Sequence, residues 1–105
     1  MREKLYRSYL YDFYGDLLND HQKDLFEVYH FQDLSLSEIA EQAGTTRQGV
    51  YDSIARTERR LLAYEEKLRL LDRYTRVQEK VKELSEAHPD LAADLQEITD
   101  ILFEE

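Results

Sequence analysis

Apolar positions recur at helical spacing along almost the whole chain. Near the N-terminus Leu5, Tyr9, Phe13 and Leu17 form one row at intervals of four, with Tyr6, Leu10, Tyr14 and Leu18 beside it, which predicts a helix with a wide apolar face. Gly15 interrupts that face mildly. Asn19 or Asp20 then supplies a cap for a second helix, whose apolar face is Leu25, Phe26, Tyr29 and His30 and which ends near Gln32 and Asp33. No segment alternates in the manner of a strand, and three glycines and one proline leave little room for loops. The pattern predicts an all-α fold.

The segment 34–61, LSLSEIAEQAGTTRQGVYDSIARTERRL, carries the spacing of a helix-turn-helix. Ala40 is small where a second helix must cross, Gly44 can take the left-handed conformation that ends the first helix, and Val50 anchors the second. Ile39, Ala43 and Ile54 complete the apolar set. Ser35 with Glu38 three residues on makes a capping box, and Thr45 or Thr46 can cap the second helix ahead of Arg47.

After Val50 nothing interrupts the helical pattern until His88-Pro89, and Leu61, Tyr64, Leu68, Leu71, Tyr74, Val77, Val81 and Leu84 continue one stripe. An unbroken helix of roughly 40 residues would run some 60 Å, further than a domain of this size can cover. Either it bends near Arg69 to Arg73, or the last helix (Leu91, Leu95, Ile98, Ile101, Leu102) folds back on it, or a second copy of the chain covers it. Of these a homodimer is the favoured expectation, and the departure from a strict heptad through Leu71, Tyr74 and Val77 argues against a long regular coiled coil. The expected organisation is therefore 1–61, N-terminal helices plus the motif, and 62–105, an acidic helical extension packed on the core or on a dimer partner.

Charge complicates a nucleic-acid reading. The 105 residues carry a formal net charge of −9, with 14 basic and 23 acidic side chains. The charge is uneven: residues 1–33 hold 4 basic and 7 acidic groups, residues 34–61 hold 4 and 4, and residues 62–105 hold 6 and 12. The motif is thus the least acidic part, with Arg47, Arg56, Arg59 and Arg60 able to form a local basic stripe. Arg59 and Arg60 sit among Glu58, Glu65 and Glu66, so ion pairing is an equally good use of those arginines. Tyr51 can equally pack against the N-terminal aromatic face.

Enzymatic chemistry finds little to work with. There is no cysteine, hence no disulfide, thiolate nucleophile or zinc cluster, and no glycine-rich phosphate loop. His21, His30 and His88 lie far apart and in no recognised motif, and the acidic clusters lack ligand-loop spacing, so neither a metal nor a cofactor is expected. No apolar run approaches 18 residues and the N-terminus lacks a signal-peptide pattern, from which a cytoplasmic protein is expected.

Leu18, Gln22, Lys23, Leu25, Phe26 and Tyr29, followed by LSLSEIAEQAGTTRQGVYDSI, resemble region 4 of bacterial sigma factors. Over almost the whole chain, DFYGDLL, HQKDLFEVYHFQDLSLSEIAEQ and TRQGVYDSIARTERRLLAYEEKLRLL resemble the YlxM family. That resemblance implies an all-helical bacterial protein with a sigma-region-4-like helix-turn-helix and a link to the signal recognition particle pathway, whose RNA or GTPases become suspected partners. Carried over by position, the surface reading DNA or RNA is Thr46, Arg47 and Gln48, with Tyr51, Asp52 and Ala55 one turn on, while Arg56, Arg59 and Arg60 touch phosphates. The chain departs from the sigma pattern after the anchoring valine: Tyr51, Asp52 and Ser53 stand where sigma-like helices commonly place lysine, serine and arginine. Two functions follow as expectations. One is a regulator whose second motif helix enters a groove; the other is a protein-protein adaptor whose acidic C-terminal half docks on a basic partner such as a targeting GTPase.

Overall fold

The computed structural model describes residues 3–104 and is all-α, with no strand among those residues. Six α-helices follow in order: α1 (Glu3–Tyr14), α2 (Asp20–His30), α3 (Leu36–Ala43), α4 (Arg47–Leu68), α5 (Leu70–Ala87) and α6 (Ala92–Asp100). They divide into two compact units, Met1–Leu68 and Arg69–Glu105.

In the first unit, α1, α2 and α3 all pack on α4. Of the two apolar rows on α1, the inner one is buried at Leu10, Tyr14 and Leu18, whereas Leu5, Tyr9 and Leu17 of the other row remain exposed. One cylinder cannot bury a face as wide as the sequence offers when its main partner here is a single long helix. Asn19 caps α2 in a full capping box with Gln22, its side chain accepting from the Gln22 N–H at 2.8 Å. Phe26 fills the space between α2 and α1, only 1% exposed and stacked on Tyr11 with ring centroids 4.6 Å apart. The Tyr11 hydroxyl donates to Glu27 at 2.6 Å, and burial together with that carboxylate pushes the phenol well above its usual range. Asp33 ends the α2 connection in the left-handed conformation (φ 56°), which aspartate tolerates better than most residues.

In the second unit α6 folds back on α5 through the turn Pro89–Leu91. The helical pattern that runs from Val50 to Ala87 is broken within the stretch where the sequence allowed a bend. It is split at Arg69, which sits at φ 56° and ψ 30° and whose guanidinium donates to Asp72 at 2.8 Å. A lone left-handed arginine costs roughly 1–2 kcal/mol and carries no glycine or proline signal, so a reading of periodicity passes straight through it. Two of the three ways of covering the long stripe, a break near Arg69 and a returning last helix, are therefore both realised.

Candidate nucleic-acid interface

The motif assembles α3, a three-residue turn and α4. Ser35 and Glu38 form the expected reciprocal box, the Ser35 hydroxyl accepting from the Glu38 N–H and the Glu38 carboxylate from the Ser35 N–H, both at 3.1 Å. Those hydrogen bonds hold the Glu38 carboxyl below its ordinary range. Gly44 ends α3 at φ 67° and ψ 34°, its N–H returning to Ala40 and Glu41 carbonyls. Of the two threonines, Thr46 is the one that accepts from the N–H of Gly49, at 3.0 Å, and so caps α4. Ile39, Ala40, Val50 and Ile54 make a buried cluster beneath the turn, backed by Leu25, Val28 and Leu34. Ala43 is the exception to the expected apolar set: it is exposed.

An added Cβ at Gly44 would meet no atom within 4 Å, so only backbone conformation penalises a side chain there. Gly44→Ala is expected to cost roughly 1–2 kcal/mol, lowering the thermal midpoint by about 4–8 °C per kcal/mol, and Gly44→Asn to cost less. Thermal unfolding followed by circular dichroism checks the order of the two variants.

The residues proposed from the sequence as nucleic-acid contacts lie along α4 and at its cap but not on one face: Arg47 and Arg56, nine residues apart, stand on opposite sides of the helix. Thr46, Arg47, Gln48, Tyr51, Asp52, Arg56, Arg59 and Arg60 are all exposed, and Ala55 is half-buried among them. Tyr51 does not join the N-terminal aromatic cluster; its ring is 54% exposed and borders a cleft of about 480 Å³ shared with Arg7, Tyr29 and Glu58. Gln48 donates one amide proton to Asp52 at 2.9 Å, which leaves its carbonyl oxygen and second N–H for another partner.

The arginines are not spent on in-helix ion pairs. Among the described residues Arg47, Arg56 and Arg59 form none, and Arg60 donates only a long contact, 3.4 Å, to the Gln22 side chain. No acid stands three or four residues from Arg47, Arg59 or Arg60, and the one four residues before Arg56, Asp52, accepts from Gln48. Glu58 faces α1 and α2, where one carboxylate oxygen pairs with Arg7 Nε at 3.1 Å and the other with His30 Nε2 at 2.8 Å. Glu65 is buried and accepts from the Tyr14 hydroxyl at 2.6 Å. Two of the four α4 acids thus fix the helix to the unit, while Asp52 and Glu66 remain exposed. The first turn of α4 also contains no acid, so the positive end of the helix dipole adds to Arg47 there.

Sequence reasoning missed the Arg7–Glu58–His30 network that sets α4 in place. Its signal was present: Glu58 falls on the helix face of Val50, Ile54 and Leu61, where a carboxylate needs a partner, and His30 falls on the apolar face of α2.

Comparison with known proteins agrees with this motif. The profile of the family described as "Putative helix-turn-helix protein, YlxM / p13 like" matches residues 1–101. A UPF0122 protein of Geobacillus kaustophilus is 43% identical over 109 aligned positions, covering 96% of this chain and 99% of the relative. One from Caldanaerobacter subterraneus subsp. tengcongensis is 45% identical over 82 positions, covering 78% and 70%, and one from Lactococcus lactis subsp. cremoris is 44% identical over 99, covering 91% and 89%. With its capped, glycine-turned motif and a profile match over nearly its full length, the chain belongs to the UPF0122 family of YlxM/p13-like helix-turn-helix proteins.

Proposed function

We propose that this protein is a non-enzymatic regulator of the bacterial cytoplasm that binds nucleic acid through α4, presenting it much as sigma region 4 does and acting as a homodimer. The observation that carries this reading is the set Arg47, Arg56 and Arg59, exposed along α4 and forming no ion pair among the described residues. Duplex DNA suits the geometry best. An α-helix enters the major groove of B-form DNA, whereas the same groove in A-form RNA is too narrow and deep for side chains to read. Arg47 suits guanine and Gln48 adenine at the base edges, with Arg56, Arg59 and Arg60 on phosphates. Binding to the RNA of the signal recognition particle would instead run through an unpaired loop, with a base stacked on the exposed ring of Tyr51.

The test is Arg47→Ala combined with Gln48→Ala, assayed by fluorescence anisotropy on promoter fragments and on signal recognition particle RNA. Each lost base contact is worth about 1–3 kcal/mol, so the double variant should bind its preferred duplex at least 10-fold more weakly and lose sequence preference. Unchanged affinity and preference would contradict the groove assignment and favour the adaptor reading, in which α6 and its acids meet a basic targeting GTPase.

A further inference from the structure

We propose that the second unit, Arg69–Glu105, is the dimerisation module: the outer stripe of α5 receives the outer face of α6 from a second copy, and the two-fold symmetry returns the same contact. The proposal rests on the homodimer part of the function argued above and is independent of whether nucleic acid is bound.

The unit is shorter than the roughly 40 residues below which a chain usually needs disulfides, metals or association to hold a fold. It has few buried residues: among those described, Leu71 and Thr99. The apolar residues outside the α5/α6 contact stay in solvent. On α5 these are Val77 and Leu84, 40% and 45% exposed, and on the α6 arm they are Leu91, Ile98 and Ile101, at 44%, 58% and 63%. Leaving such residues exposed on both arms of one hairpin gives an apolar surface of the kind that marks an interaction site.

Charge identifies the occupant. Arg73, Val77, Lys80 and Leu84 follow one another at intervals of four, three and four, so they share a face of α5 where apolar and basic side chains alternate. A groove of about 690 Å³ opens there, floored by Val77, Val81 and Leu84 and edged by Arg73, Arg76 and Lys80 together with Glu79 and Glu83. Arg76 and Lys80 lean on acids of their own helix at 3.5 and 3.4 Å, exposed pairs that exchange partners at little cost, and Arg73 has no ion pair among the described residues. The α6 arm carries the complement. Every charged residue from Asp90 to Glu104 is acidic, with Asp94 and Glu97 flanking Ile98. An apolar groove whose rim sets three basic side chains against two acidic ones accepts an apolar helix whose charged flanks are all acidic. Because one chain owns both halves, a two-fold pairing satisfies each twice and closes without leaving an open end. The product is a four-helix arrangement, in which paired hairpins bury what each exposes alone.

Size-exclusion chromatography with light scattering on the full chain, from roughly 1 to 100 micromolar, is the test. The wild type should run at twice its 12.6 kDa. Val77→Glu with Leu84→Glu should run as a monomer with unchanged helicity by circular dichroism, since both positions are exposed. Should that variant lose helicity, a charge reversal decides: Arg73→Glu with Lys80→Glu should weaken the dimer at least 10-fold, and adding Asp94→Lys with Glu97→Lys should restore it. A wild type at 12.6 kDa throughout, or a charge-reversed chain that dimerises as well as the wild type, overturns the proposal. A dimer that ignores nucleic acid would leave this inference standing and remove the reader assignment, whereas a monomer that binds nucleic acid would do the reverse.

Discussion

Arg56→Glu together with Arg59→Glu should weaken nucleic-acid binding at least 100-fold at low salt while leaving thermal stability unchanged. Both guanidinia are exposed and neither forms an ion pair among the described residues, so the folded state loses no partner when they go. Exposed substitutions of this kind usually stay within about 0.5 kcal/mol. Each arginine that neutralises a phosphate releases about one counterion, so the slope of log affinity against log salt should become shallower by about two. Reversal of sign adds repulsion beside Asp52 and Glu66, which is why the loss should exceed that of alanine variants. Affinity and salt slope that both stay at the wild-type level would mean that α4 does not meet phosphate.

Phe26→Ala is expected to be the most damaging core truncation, destabilising the first unit by about 3–5 kcal/mol. Phe26 is 1% exposed and holds three rings: Tyr11 in a stack at 4.6 Å, His30 at 4.2 Å and Phe31 edge-on at 5.9 Å. Removing it empties the space between α1 and α2 and frees His30, whose hydrogen bond to Glu58 helps to orient α4. The loss should therefore reach the interface. At about 4–8 °C per kcal/mol the thermal midpoint should fall by at least 12 °C, and nucleic-acid affinity should fall with it even though Phe26 lies away from that surface. Chemical denaturation read by circular dichroism measures the first effect and anisotropy the second. A midpoint within a few degrees of the wild type would show that the ring stack carries little of the stability.

Much of this was legible in the residues themselves because the relevant physics is local. The caps at Asn19, Ser35 and Thr46, the left-handed Gly44 and the cluster of Ile39, Ala40, Val50 and Ile54 depend on neighbours within one or two helical turns, and the sequence spacing specifies them. What was not legible depends on partners distant in the chain. Which row of α1 turns inward is settled by α4, some fifty residues away along the chain at the Tyr14–Glu65 contact. That Glu58 and Glu65 meet Arg7, His30 and Tyr14 on α1 and α2 likewise depends on residues distant in the chain. The split at Arg69 was legible only as one of three ways to cover a stripe too long for the domain, since arginine is a good helix former and no glycine or proline marks the position.

Engagement of the α4 acids by the inner face also explains how an acidic chain can carry a nucleic-acid surface. Net charge is a sum over the molecule, while a phosphate within a Debye length of about 8–10 Å feels chiefly the groups nearest it.

The measurement that bears most directly on the central claim is a salt series of anisotropy titrations of the wild-type chain against random duplex DNA, promoter fragments and signal recognition particle RNA. If α4 reads nucleic acid, binding should appear at low salt, weaken as log salt rises with a slope of about three to four for Arg47, Arg56, Arg59 and Arg60, and favour one of the three ligands. Absence of binding to all three at low salt would contradict the account.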